Sequence, residues 1–302
     1  MVNPQTKFPQ VPTPPADIDA YLAGKESAFD DIRPGLERQV IWATPQNPAR
    51  TSLALVYVHG FLASRGELEP LISTLARELE ANIYFARLQG HARTPQALAN
   101  VRNEAWFDDV REAYALGKQI GERVVMIGTS TGGALALWLA AQSEAQDLSG
   151  RIVVSPNFHP HPWATRILTW PWGQRIARVL LGESTRVARD NDLQRRYWYD
   201  SYPTDGLFPM MAVVQELGEV DLATITTPTL MLYSPRDKVV DSDLALQRFQ
   251  TLGSGLKRAE AFETRHVNNH VLAGDAFAPE NNARALEVMR AFVRQYVAVD
   301  KP

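Results

Sequence analysis

Val124-Val125-Met126-Ile127-Gly128-Thr129-Ser130-Thr131-Gly132-Gly133-Ala134-Leu135-Ala136 is the stretch whose reading decides the fold. An aliphatic, β-branched run enters it and a small-residue helical run leaves it. Between them lies a turn that fits G-x-S-x-G in strand–turn–helix context. Such a turn holds its serine at a strained apex with the hydroxyl exposed. The flanking glycines leave room where a β-carbon would strike the neighbouring backbone. The start of the following helix offers free N–H groups and the positive end of its dipole to any negative charge that develops there. Ser130 is therefore the candidate nucleophile.

Outward from this turn the same alternation repeats. Leu53 to Val58 is an apolar run followed by a helical stretch from Glu67 to Leu79, and Ile83 to Ala86 precedes a helix from Glu104 to Ile120. Val124 to Ile127 precedes a helix from Gly133 to Ala141, and Ile152 to Val154 and Thr229 to Tyr233 supply further runs. Continuous rather than alternating apolar runs suit parallel strands covered on both faces, and strands alternating with helices predict an α/β fold with a mostly parallel sheet. Gln39 to Thr44 reads as a first strand, Ala259 to Phe262 as a late one, and Asn282 to Val297 as the closing helix.

Two segments break the alternation. Residues 1–16 carry Pro4, Pro9, Pro12, Pro14 and Pro15 and read as an extended arm, followed by a short helix from Asp17 to Phe29. Between Ser155 and Asp221 the strand pattern lapses. The stretch carries Trp163, Trp170, Trp172, Tyr197, Trp198, Tyr199 and Tyr202, has helical pieces such as Gly173 to Leu181, and shows no clear strand. The expected division is an arm and short helix over 1–36, an α/β core over 37–155 and 222–302, and an inserted, mostly helical cap over 156–221.

Two acids and two histidines lie where they could complete a charge-transfer system with Ser130. Asp237 follows the run Thr229 to Tyr233, just past the end of a late strand. Its neighbour Asp241 stands where it would cap the next helix. In Glu263-Thr264-Arg265-His266-Val267-Asn268-Asn269-His270-Val271-Leu272, His266 and His270 both qualify as a general base, and the residues themselves leave the choice open. Serine, aspartate, histidine is the chain order of one of the known arrangements of such triads.

Taken together, His59-Gly60-Phe61, Arg87-Leu88-Gln89-Gly90-His91, Trp106, Gly128-Thr129-Ser130-Thr131-Gly132-Gly133, the loop at Asp237, and His270-Val271-Leu272 resemble the α/β-hydrolase superfamily. Within it they resemble the bacterial carboxylesterase and monoacylglycerol-lipase-like branch. The resemblance spans Val40 to Ser155 and Thr227 to Val297, and departs from the usual Gly-His-Gly pattern at Ala92. It implies Ser130 as nucleophile, Asp237 as the orienting acid and His270 as the base, with His266 at the pocket rim. It implies an oxyanion hole made by the backbone N–H groups of Phe61 and Thr131, with His59 holding its loop. It implies no cofactor and no metal. The expected activity is hydrolysis of carboxylic esters with apolar, short-to-medium acyl or alcohol groups through an acyl-enzyme. A thioesterase, amidase or carbon–carbon hydrolase would keep the same triad, and a non-catalytic binding scaffold would keep only the fold.

Bulk properties narrow the field further. The chain has 302 residues, which is near the limit for one core plus an insertion. It has 31 basic and 34 acidic residues for a net charge of −3, so nothing points to a nucleic-acid partner. It has no cysteine, which excludes disulfides, thiolate metal sites and a cysteine nucleophile. His159-Pro160-His161 lacks a third ligand nearby for a metal site. No apolar run approaches the roughly 18 residues of a membrane span, and Met1 to Ala16 lacks the apolar centre of a signal peptide. The chain is accordingly expected to be soluble and cytoplasmic, to act on a small-molecule ester, and to carry no integral membrane segment.

Overall fold

The structure is a computed structural model and describes residues 9–12, 16–161, 178–179 and 182–297. Its centre is a seven-stranded sheet built from β1 (Gln39–Ile41), β2 (Thr51–Val58), β3 (Asn82–Phe85), β4 (Gly121–Thr129), β5 (Gly150–Val154), β8 (Thr229–Tyr233) and β9 (Lys257–Ala261). The spatial order is β1-β3-β2-β4-β5-β8-β9. Only the edge strand β1 runs antiparallel to its neighbour; the other pairings are parallel, as the unbroken apolar runs predict. β4 lies at the centre, with Val58 opposite Gly128 on one side and Val154 opposite Thr129 on the other.

The pleat divides the core in two. Along β2, Ala54, Val56 and Val58 face one apolar layer and Leu53, Leu55 and Tyr57 face the other. β4 does the same with Val124 and Met126 against Val125 and Ile127. The first layer is completed by α3 (Ala105–Ile120) and α4 (Thr131–Ala140). The second is completed by α2 (Glu69–Glu78) and α8 (Asn282–Tyr296). The entirely buried α4 has no polar face to present, in keeping with its Ala/Leu/Trp composition. The helix expected from Glu67 begins two residues later, because Arg65–Glu67 form a 3₁₀ turn whose last side chain points away into the protein. No helix among the described residues is long and apolar enough to cross a membrane.

An N-terminal helix, α1 (Ala16–Glu26), is tied to the body by buried charge. The Glu26 carboxylate takes two hydrogen bonds from Arg87, at 2.8 and 2.9 Å, and pairs with Arg38 at 3.3 Å. Arg38 in turn reaches Asp109 on α3.

Between β5 and β8 the chain leaves the sheet. It forms β6 (Ser184–Arg186), α5 (Asp192–Tyr197), β7 (Ser201–Pro203) and α6 (Leu207–Glu219), and α7 (Ser242–Gln250) follows β8. The expectation of no strand here is corrected. β6 and β7 pair antiparallel, with Thr185 opposite Tyr202. At three residues each, and with Pro203 at one end, neither offers the alternation that marks a strand in sequence. α6 buries Met210, Met211, Val213, Val214 and Leu217 in the same layer as α4. The helix expected over Gly173 to Leu181 lies outside the described residues apart from positions 178–179, and so do Trp163, Trp170 and Trp172.

Candidate active site

Ser130 sits between β4 and α4 with φ 53° and ψ −113°. A non-glycine residue in the left-handed region costs on the order of 1–3 kcal/mol and persists only where its surroundings enforce it. Here they do. Ser130 N–H donates to the Val154 carbonyl at 2.8 Å, and Ser130 O accepts from the N–H groups of Ala134 at 3.0 Å and Asn157 at 3.1 Å. The glycines are required by contact. A β-carbon on Gly128 would stand 2.3 Å from Gly132 O, and one on Gly132 would stand 2.1 Å from Val58 O. The bond to Val154 uses up the N–H of Ser130, so the first free donor of the elbow is that of Thr131 at the start of α4.

The loop after β2 places Phe61 beside this elbow, and the two N–H groups flanking that of Phe61 are both pinned. Gly60 N–H donates to Glu67 Oε2 at 3.0 Å and Leu62 N–H to His91 Nε2 at 3.2 Å. Among the described residues no acceptor takes the Phe61 N–H. His59 locks the same loop from behind, with its Nδ1–H donating to Gly60 O at 2.8 Å and its Nε2 accepting from Leu88 N–H at 3.2 Å. Both histidines act as acceptors only while neutral, and burial keeps them so. It drives His59 down to about 4 and His91 well below the ordinary histidine range, with the neighbouring Arg87 charge pushing the same way. The His59 and His91 rings pack together with centroids 4.8 Å apart and planes inclined at 59°.

Asp237 lies in the loop after β8 with its side chain 1% exposed. Its Oδ1 accepts the N–H groups of Val239 at 2.8 Å and Val240 at 3.0 Å, and its Oδ2 accepts from His270 Nδ1 at 2.8 Å. Desolvation would lower the His270 pKa, but the Asp237 carboxylate, with the charge of Glu67 behind it, outweighs burial and raises it above the ordinary histidine value. Ser155, itself at φ 44°, donates its hydroxyl to His270 O at 2.8 Å and fixes the loop's height. His266 is engaged elsewhere: Nδ1 accepts from Asn268 N–H and Nε2 meets Asp190 Oδ2, each at 3.2 Å. Asp241 accepts from Leu244 N–H at 2.9 Å and caps α7.

The structure thus brings Ser130, Thr131, Phe61 and His270 to one cavity of about 410 Å³, with the Asp237 carboxylate on the far side of the His270 ring. Its walls are largely apolar and come from both the sheet loops and the β5–β8 segment, with Trp198, Tyr202, Leu207 and Met210 facing Val240 and Phe277. No Ser130 Oγ–His270 Nε2 hydrogen bond occurs among the described residues; such contacts commonly tighten only with substrate in place. His161 lines the cavity while His159 is turned to Pro160 O, and no group of three His, Asp or Glu able to hold a metal occurs among the described residues. Glu67, Ser155, Asn157 and His91 also hold or line the site. Sequence reading missed Glu67, Ser155 and Asn157, since none lies in a motif and each acts through a partner on another segment of the chain.

Comparison with known proteins places the chain. A hydrolase family model, described as Serine aminopeptidase, S33, matches residues 49–266. A thermostable monoacylglycerol lipase of Bacillus sp. strain H-257 is 24% identical over 235 residues, covering 78% of this chain and 89% of that protein. An ethyl acetate hydrolase of Pseudomonas putida is 29% identical over 251 residues, covering 77% of this chain and 73% of that protein. Among solved structures, a metagenome-derived lipolytic enzyme described with the LipS and LipT pair superposes with a TM-score of 0.69 at 20% identity. That match covers 87% of this chain and 99% of the other.

Proposed function

The chain belongs to the serine aminopeptidase S33 family, and we propose that within it the protein is a serine carboxylic-ester hydrolase for apolar acyl or alcohol groups of short to medium length. Ser130 Oγ attacks the ester carbonyl while His270 Nε2 takes its proton. The oxyanion is received by the N–H groups of Phe61 and Thr131, the alcohol leaves with the proton returned by His270, and water repeats the cycle on the acyl-enzyme. Asp237 holds His270 with Nδ1 protonated and steadies the imidazolium. Residues 156–221 act as a cap over the carboxyl ends of the strands, where sites form in open α/β sheets.

The observation that carries the reading is the apolar cavity with Ser130 and the Asp237-paired His270 on its lining. The relatives named for monoacylglycerol and ethyl acetate hydrolysis support ester chemistry. The family's description raises a peptidase reading. An aminopeptidase must neutralise a substrate ammonium, and no carboxylate lines the cavity among the described residues.

A series of nitrophenyl esters of increasing acyl length, with the matching anilides, tests the proposal. Each methylene accommodated is worth about 0.8 kcal/mol, or roughly fourfold in kcat/KM, until the cavity is filled. Ester turnover that rises and then falls with length, and shifts in Trp198→Ala or Tyr202→Ala, is expected. Anilide turnover matching that of the esters would overturn the ester reading, and an unmoved profile in the cap variants would remove the cap from substrate selection.

A further inference from the structure

We propose that Glu67 is a positioning residue for the reaction, bracing the turn that carries the Phe61 N–H against the elbow that carries Ser130 and the Thr131 N–H. The inference rests on the proposed ester-hydrolase reading.

Glu67 ends the 3₁₀ turn after the Phe61 loop and is 2% exposed. One oxygen, Oε2, accepts both Gly60 N–H at 3.0 Å and the Tyr57 hydroxyl at 2.7 Å. Tyr57 Oη lies 3.1 Å from Thr129 Oγ1. The chain of contacts therefore runs from the residue before Phe61, through one carboxylate and one phenol, to the residue before Ser130. A β-carbon on Gly60 would meet Glu67 Oε1 at 3.2 Å and Ser130 Cβ at 3.3 Å, so carboxylate, turn and nucleophile stand in close order. The third catalytic segment closes on the same residue: Gly274, four residues beyond His270 and at φ 92°, packs so closely that a β-carbon there would lie 2.3 Å from Glu67 O.

The chemistry of the residue is hard to account for as packing alone. Burial of a carboxylate is costly unless it is paired. Glu67 forms no ion pair with Lys or Arg among the described residues; Arg65 two positions earlier is turned to Glu69. What surrounds the carboxylate instead is the Gly60 N–H, Tyr57, Thr129 and, across the site, His270. Burial raises the Glu67 pKa, and these donors and His270 oppose the rise. Two consequences follow for catalysis. The oxyanion donor at Phe61 is held in place from the Gly60 side by Glu67, just as it is held from the Leu62 side by His91. The negative charge also favours protonated His270, adding to Asp237. The other ionisable groups lining the cavity among the described residues are His161, His266, Arg189 and Tyr202.

The test compares wild type, Glu67→Gln and Tyr57→Phe by steady-state kinetics on a nitrophenyl ester, by thermal melting, and by the rate and site of fluorophosphonate labelling. Losing an oxyanion donor outright costs about 10²–10³ in kcat. Displacing one should cost less, so Glu67→Gln is expected to lower kcat roughly 10- to 100-fold with KM within about threefold. Its activity should also persist to lower pH, because the charge that raises His270 is gone. Tyr57→Phe, which removes one leg of the brace, should lower kcat about three- to tenfold and slow labelling in step. A Glu67→Gln enzyme with kcat within twofold of wild type and an unmoved acid limb overturns the proposal, even if its melting temperature falls. Should that variant not fold, an unchanged kcat in Tyr57→Phe overturns it. Failure of wild type to label at Ser130 would refute the ester-hydrolase reading; labelling of wild type with unchanged variant rates refutes only the brace.

Discussion

In Asp237→Asn the two oxygens of the native carboxylate are no longer interchangeable, and the surrounding structure dictates which is replaced. Oδ1 accepts two backbone N–H groups, from Val239 at 2.8 Å and Val240 at 3.0 Å, while Oδ2 faces His270 Nδ1 at 2.8 Å. An amide nitrogen turned toward Val239 and Val240 would set donor against two donors, so the carbonyl oxygen stays there and the NH₂ is driven toward His270. Nδ1 must then become an acceptor, which moves the ring proton to Nε2, the nitrogen that has to receive a proton from Ser130. The fold should survive, because the substitution is isosteric and both backbone bonds are kept. The base is in the wrong tautomer, a change worth roughly 10⁴ in kcat where the same geometry is used, or about 5 kcal/mol. Steady-state turnover of a nitrophenyl ester between pH 6 and 9, with thermal melting as a control, measures it. A folded variant that loses less than about tenfold in kcat would refute the assignment of Asp237 as the residue that sets the His270 tautomer.

Further outcomes follow from the same geometry. His270→Ala should abolish turnover, while His266→Ala, whose ring is held by Asn268 and Asp190, should cost no more than about tenfold; the reverse order in kcat would move the base. Wild-type kcat/KM should fall on acidification with a midpoint above about 6.5, because Asp237 and Glu67 raise His270 and only the neutral ring can act as base; a midpoint well below that value contradicts the pairing. Stability should fall between about pH 6.5 and 4, since unfolded His59 takes up a proton through that window while folded His59, held at about 4, does not. At about 1.4 kcal/mol per unit this amounts to on the order of 3 kcal/mol for His59, read as a lower urea midpoint at pH 5 than at pH 7.5. The raised His270 contributes in the opposite sense, its stabilisation being complete below its unfolded value and lost as pH rises through its folded one. So do the buried carboxylates of Asp109, pushed up to about 6, and Glu67, whose cost is relieved as they take up protons. An unchanged or higher midpoint at pH 5 would contradict the dominance of His59 and His91 over these groups. Gly132→Ala should destabilise by more than about 4 kcal/mol, because its β-carbon would lie 2.1 Å from Val58 O and 2.7 Å from His59 O; a melting temperature within two degrees of wild type would refute the close approach.

What could be read from the sequence was whatever is enforced locally. The elbow was legible because Gly128, Ser130 and Gly132 must occur at fixed offsets for the turn to close at all. The parallel sheet was legible because β2, β4, β5 and β8 are buried on both faces and so show unbroken apolar runs. Asp241 was legible as a helix cap because capping is a contact three residues away. The rest depends on partners far along the chain. Glu67 reads only as the start of a helix; its carboxylate instead takes the Gly60 N–H and the Tyr57 hydroxyl, and through Tyr57 it reaches Thr129 on β4. Ser155 looks like an ordinary strand-end serine until its hydroxyl is found on His270 O. β6 and β7 exist only as each other's partners, and three polar-to-mixed residues carry no period to detect. His266 and His270, four residues apart, are not separated by residue type; the resemblance carried by His270-Val271-Leu272 points to His270, and it is the His270 ring that faces Asp237.

The central claim is that Ser130 is the nucleophile, and covalent capture measures it most directly. Wild type and Ser130→Ala are treated with a fluorophosphonate, and the modified residue is located by peptide mass, alongside turnover of a nitrophenyl ester. The account predicts one phosphonyl group per chain on Ser130, no labelling of Ser130→Ala, and a loss of turnover in that variant of roughly a million-fold with the fold intact. A label on another residue, or a well-folded Ser130→Ala that keeps more than a few per cent of wild-type activity, would contradict it.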